Sequence, residues 1–169
     1  MNVLVVDGYN IIGAWDELNY LKRKDIGLAR DQLLEILVEY KAYIGERVIV
    51  VFDALYVKGQ ESKQSVNNIE VIYTKEDETA DECIERLVKS LKTVKNQVYV
   101  ATSDYLEQRT IFSRGALRIS ARELLIEINS MHANISDELI QQSKKQPKRG
   151  LDMDDELRKK LEKIRRGNA

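Results

Sequence analysis

Four aspartates stand where α/β proteins do chemistry. Asp7 closes the apolar run "NVLVVD" (2–7), Asp53 closes "RVIVVFD" (47–53), and Asp104 closes "QVYVATSD" (97–104). Asp81 lies in "DETADECIE", beside Ala80, the first apolar residue of a helical pattern. In an open parallel sheet, ligands gather outside the carboxyl ends of the strands. Three strands therefore each bring one carboxylate to that edge, and a helix start brings a fourth. Clustered carboxylates raise one another's pKa, so such a set calls for a neutralising cation. Mg²⁺ suits it, because it takes oxygen ligands, keeps several waters and needs few carboxylates. An ion of this kind lowers the pKa of a water and stabilises charge on a phosphate. That chemistry needs no histidine, and His132 is the only one.

Each acid has a structural explanation beside the chemical one. Asp81 and Glu82 suit a first helical turn, where the macrodipole favours acids. Thr79 and Glu82 fit a capping box. Asp104 with Glu107 fits a helix start, and Asp7-Gly8 fits a turn. Asp53 has the plainest alternative, the simple end of a strand. Convergence of all four on one edge is what favours a shared site. The neighbours suit phosphate work as well. Gly8 admits close backbone approach to a ligand, and Asn10 can bond a carboxylate or a phosphate. Thr79, Thr102 and Ser103 bring hydroxyls, while Arg30, Arg109 and Arg114 bring cations.

The elements that must position these residues read as strands alternating with helices. "NVLVVD", "RVIVVFD", "IEVIY" (69–73) and "QVYVATSD" are continuous and rich in Val and Ile, as strands covered on both faces are. "ALRIS" (116–120) is a short fifth. Apolar residues at helical spacing lie in 28–42, 80–92 and 121–131. This alternation predicts an α/β fold, a three-layer sandwich with a mainly parallel central sheet. The polar stretch "YVKGQESKQSVNN" (56–68) reads as a mobile loop. "SKKQPKRG" (143–150) reads as a linker, since it holds the only proline and four basic residues. Beyond it, Met153, Leu157, Leu161 and Ile164 trace an apolar stripe on a last helix.

The 169 residues suffice for one domain with a sizeable core. The expected division is a domain over 1–143, followed by a basic linker and amphipathic helix over 144–169. Net charge is −1, but it is unevenly spread. Residues 144–169 hold ten Lys and Arg against five Asp and Glu; the rest of the chain holds seventeen against twenty-three. A basic tail on an acidic body points to a polyanionic partner, against the plainer reading of a solvated helix. Cys83 is the only cysteine, which excludes an intrachain disulfide and a thiolate-rich metal site. No apolar run reaches the eighteen residues of a membrane helix. No signal-peptide pattern is seen, and a cytoplasmic location without membrane association is the expectation.

The segments "VDGYNII", "VFDA", "YTKEDETADECIE" and "VATSDYLEQ…SRGALRISARELLIEI" resemble the YacP-type NYN-domain ribonucleases of the wider PIN-like superfamily. The resemblance spans residues 1 to about 165, and the order D-G-Y-N, E-T-A-D, T-S-D is what makes it specific. It implies a PIN-like/NYN fold and a metal-dependent endoribonuclease. Asp7, Asp81 and Asp104 would be its catalytic and metal-holding acids, with Mg²⁺ or Mn²⁺ as the ion. Asp53 would be a further acid of that site, and Asn10 and Ser103 would support it. The resemblance further implies cleavage of mRNA in the ribosomal A site, with ribosomal RNA and proteins as partners. Arg30, Arg109, Lys144, Lys145, Lys148 and Arg149 are the candidate contacts to RNA, and Tyr56 and Tyr105 are candidates for base stacking.

Other readings compete. The same fold can serve as a non-catalytic RNA- or ribosome-binding protein whose acids only cap helices. A response-regulator switch needs two adjacent acids after the first strand, and here Gly8 follows Asp7. A haloacid-dehalogenase-type phosphatase needs an acid two residues after the first, and that position is Tyr9.

Overall fold

Six strands form one sheet in the order β3-β4-β2-β1-β5-β6. The computed structural model describes residues 1–54, 62–104 and 114–145, with side chains at 62, 144 and 145 outside that description. In chain order the elements are β1 (Asn2–Asp7), α1 (Gly8–Ala14), α2 (Asp16–Lys24), α3 (Ile26–Ile44), β2 (Arg47–Phe52) and β3 (Ser62–Val66). There follow β4 (Ile69–Tyr73), α4 (Ala80–Leu91), β5 (Gln97–Ala101), β6 (Leu117–Ile119) and α5 (Ala121–Lys145). All strand pairs are parallel except β3–β4. The α/β class and mainly parallel sheet expected from the sequence are what is found.

Strand alternation builds the layers. Leu4, Val6, Val48, Val50 and Phe52 face α1, α2, α3 and the start of α5. Val3, Val5, Ile49, Val51, Val98 and Val100 face α4. Both faces are covered, so the central strands are apolar on both faces through their middles, from Val3 to Val6 in β1 and from Val48 to Phe52 in β2. Each fully buried Val or Ile contributes roughly 1.5–3 kcal/mol, so the ends of β1 and β2 are among the most firmly held parts of the chain.

The helices have readable boundaries. Asp25 caps α3 by accepting the Gly27 N–H at 2.8 Å. Gly45 ends that helix at φ 68, with its N–H on the Lys41 carbonyl. Glycine, lacking a Cβ, adopts this left-handed conformation without strain. Thr79 Oγ1 accepts the Glu82 N–H at 3.2 Å and starts α4, as the capping-box pattern predicts. Trp15 is buried between α1 and α2, and its Nε1–H donates to the Ala121 carbonyl at 2.8 Å.

Three expectations need correction. Part of the predicted loop 56–68 is a strand: Ser62–Val66 pairs antiparallel with β4, and residues 56–61 lie outside the described residues. Its turn is Asn67-Asn68, at φ 47 and φ 72, the two left-handed positions of a tight hairpin. Helices α1 and α2 fill the stretch between β1 and α3, which the apolar spacing alone left unassigned. The predicted helix 121–131 continues to Lys145, through the start of the expected linker. No residue incompatible with a helix interior occurs before Pro147.

The chain divides into two compact units, Met1–Met131 and His132–Ala169. The boundary expected at 143 falls inside α5. In the second unit the described part is the helix to Lys145.

Candidate functional site

Asp7 is the last residue of β1, the strand between β2 and β5, and it is 7% exposed. It also stands just ahead of α1 without using its side chain as a cap. In register, Asp7 lies beside Val51 of β2, and Val6 lies beside Ala101 of β5. Asp53 therefore follows two residues beyond that row on one side, and Asp104 follows Ala101 by three on the other. Alternation puts Asp7 with Val3 and Val5, and Asp53 with Ile49 and Val51, on the α4 face.

Helix α4 brings the fourth acid to this edge. Asp53 Oδ2 accepts the Ala80 N–H at 3.3 Å, which ties the end of β2 to the start of α4. Asp81 is the next residue, exposed on the first turn. Asp53 thus has a structural use in capping α4.

Asp104 is placed by a turn held from three sides. Its own N–H donates to Thr102 Oγ1 at 3.1 Å. The Ser103 N–H donates to Asn10 Oδ1 at 2.7 Å, which ties α1 to the end of β5. Arg118 Nε donates to the Thr102 carbonyl at 3.1 Å, and the Thr102 N–H donates to the Ile119 carbonyl at 3.0 Å. Asn10, expected to support the site and contact substrate, uses its side-chain carbonyl oxygen to hold this turn. Arg118 had no sequence signal, since only the parallel pairing of β5 with β6 brings it here.

Gly8 has a different reason from the expected one. A Cβ at Gly8 would stand 2.3 Å from the Phe52 ring, so the ring, not a ligand, takes that space. Tyr9 packs against Phe52 at 5.1 Å between ring centroids, and Phe52 stacks on Tyr73 at 5.5 Å. The Tyr9 hydroxyl accepts a hydrogen bond from an Arg30 guanidinium nitrogen at 3.0 Å. Arg30, on the second turn of α3, is thereby tied to α1 at Tyr9, two residues along the chain from Asp7. Tyr9 carries no sequence signal for this contact; Tyr56 and Tyr105, the candidates for base stacking, lie outside the described residues, as do Arg109, Lys148 and Arg149 and the side chains of Lys144 and Lys145. Arg114 pairs with Glu85 at 2.9 Å, and Arg86 pairs with Glu78 at 3.2 Å. Cys83 is buried on the inner face of α4.

The edge therefore gathers a buried carboxylate and three flanking ones. Among the described residues, no group of three or more His, Cys, Asp or Glu side chains is arranged to hold a metal ion. A three-carboxylate cage of Asp7, Asp81 and Asp104 is not preformed. The donor chemistry fits the Mg²⁺ habit of one or two carboxylates with retained water.

The model of the YacP-like NYN domain matches residues 4–166. The chain belongs to the YacP-like NYN domain family. The YacP protein of Bacillus subtilis (strain 168) is 49% identical over 168 residues, 99% of each chain. A crystal structure of Bacillus subtilis Rae1 (YacP) is similar at TM-score 0.74 and 49% identity, covering 99% of this chain and 97% of that one. A mutant of the same protein gives TM-score 0.75 at 47% identity, over 86% and 85% of the two chains. An NYN domain suggests a nuclease-type function for this YacP-like chain. No described helix is long and apolar enough to cross a membrane.

Proposed function

We propose that this chain is a divalent-metal-dependent endoribonuclease that cuts mRNA in association with the translating ribosome. One observation carries the catalytic part. A buried aspartate ends a strand flanked by neighbours on both sides, and acids from those neighbours and from a helix start reach the same edge. Asp7, with Asp81 or Asp104, would hold Mg²⁺ or Mn²⁺. When bound, the ion would supply an activated water and stabilise charge on the phosphate. The protein's own part is orientation. Asp53 holds the first turn of α4, and with it Asp81. Asn10 and Thr102 hold the turn that carries Asp104. Arg30, steadied by Tyr9, stands ready for a substrate phosphate. The ribosome, the mRNA and a cytoplasmic location rest on the family resemblance.

A second reading is a non-catalytic RNA- or ribosome-binding protein of the same fold. Two observations favour it: Asp53 is used as a cap, and no three-carboxylate group is preformed among the described residues. Cleavage of a reporter mRNA, free and in a translating extract with Mg²⁺ or Mn²⁺, separates the two. The enzyme reading expects cleavage by wild type and its loss in Asp7→Asn and Asp81→Asn. Absence of cleavage with every metal, with ribosome binding retained, would establish the binder.

A further inference from the structure

The acidic edge repels RNA, so the chain must hold its substrate elsewhere. The cations around the edge differ by side. On the α4 side, Arg86 and Arg114 are spent on Glu78 and Glu85. On the α2–α3 side, Arg23, Lys24 and Arg30 form no ion pair among the described residues. Lys22, Arg23 and Lys24 fill the last turn of α2. Lys24 Nζ lies 4.6 Å from the centroid of the Tyr20 ring, and that tyrosine is 58% exposed.

Topology puts this group at the right edge. β2 runs parallel to β1 and starts beside Val3, so the C-terminus of α3 lies at the amino edge of the sheet. Its 19 residues, at about 1.5 Å each, carry its N-terminus back to the carboxyl edge. The Tyr9–Arg30 hydrogen bond fixes that return directly. The last turn of α2 leads into it through Asp25 alone.

We propose that the last turn of α2 and the first two turns of α3 form a landing strip for the backbone of a single-stranded RNA. Arg23, Lys24 and Arg30 contact phosphates, and Tyr20 stacks on a base. This inference rests on reading the acidic edge as a ribonuclease site. Cations in a last turn also complement the macrodipole, but that effect gives no reason for an exposed ring beside them. An exposed ring flanked by cations suits single strands, whose bases are free to stack.

The test uses the full chain in EDTA, so that binding is read without cleavage. A fluorescein-labelled single-stranded RNA is titrated by anisotropy over a range of salt. The expected result is that Arg23→Gln/Lys24→Gln weakens binding about tenfold. It should also lower the slope of log K against log salt by about 1.4, the value for two lost single-strand phosphate contacts. Tyr20→Ala should weaken binding with the slope unchanged. These residues are exposed, and an unchanged melting temperature confirms the fold. Equal affinity and slope in wild type and double variant would overturn the proposal. So would binding to phosphatidylserine vesicles but not to RNA. Cleavage with Mg²⁺ is measured in parallel. A strip that binds RNA on a chain that never cuts would remove the catalytic reading and leave the strip. Cleavage by a double variant with unaltered KM would remove the strip and leave the catalytic reading.

Discussion

The side-chain carbonyl of Asn10 accepts the Ser103 N–H at 2.7 Å, across 93 residues of sequence. This bond joins the first helix to the turn after β5. It ties Asn10 of D-G-Y-N to the backbone of the T-S-D turn that carries Asp104. Removing the acceptor leaves a part-buried N–H unsatisfied, at a cost of about 1–3 kcal/mol. Asn10→Ala should lower the melting temperature by about 2–4 °C per kcal/mol. It should also reduce cleavage at least tenfold. A stability loss with unchanged cleavage would show that the turn does not need this strap.

Gly8 is tested through its neighbour. The Phe52 ring occupies the space of a Gly8 Cβ. Phe52 is fully buried, so the ring has little room to withdraw. Gly8→Ala should destabilise the protein by about 1–3 kcal/mol, as overpacking does. Phe52→Leu in the same chain should recover part of that loss, read by urea unfolding. If Gly8→Ala alone is as stable as wild type, the close approach is not a constraint.

Asp7 and Asp53 should separate into different roles. Asp7 is buried at the strand end, and its side chain makes no cap bond to α1. Asp53 accepts an N–H from the first residue of α4. Asp7→Asn should abolish metal-dependent cleavage, by about 100-fold or more, with a normal melting curve. Asp53→Ala should instead cost about 1 kcal/mol of stability through the lost cap, with a smaller effect on cleavage. Equal stability loss and equal cleavage loss in both variants would contradict this division.

What was legible in the sequence follows from where the physics is local. The four apolar runs are covered on both faces, so their continuous, Val- and Ile-rich sequences gave β1, β2, β4 and β5 their place. Asp7, Asp53 and Asp104 were legible because a polar residue ending such a run must lie at an edge, and Asp81 because it opens a helical pattern. Strand β3 hid because its "SKQSV" is polar on an outer strand, although Asn67-Asn68 marked its turn. Helix α1 is only seven residues long, too short to show a periodicity. The use of Asn10, Gly8 and Arg118 was not legible at all. Each depends on a partner far along the chain, Ser103, Phe52 and Thr102, and only the strand order brings them together.

The ion pair between Arg47 and Glu70 gives a prediction on acid stability. The pair bridges β2 and β4, with Nε on Oε2 and an amino nitrogen on Oε1, both at 2.6 Å. The hydrogen bonds from Arg47 hold the Glu70 carboxyl below its ordinary value, and those bonds likewise raise Arg47. A carboxyl depressed in the folded state binds fewer protons there than in the unfolded chain. Its contribution is therefore present above the ordinary carboxylate pKa and is lost as pH falls through the lower, folded one. Both side chains are 43% exposed, so solvent screening limits the pair to about 0–1 kcal/mol. Urea unfolding of wild type and Glu70→Gln should differ by that amount at about pH 7, and the difference should shrink as pH falls below the ordinary carboxylate range. A difference that persists at the lower pH would assign the effect to side-chain packing along β4 instead of charge.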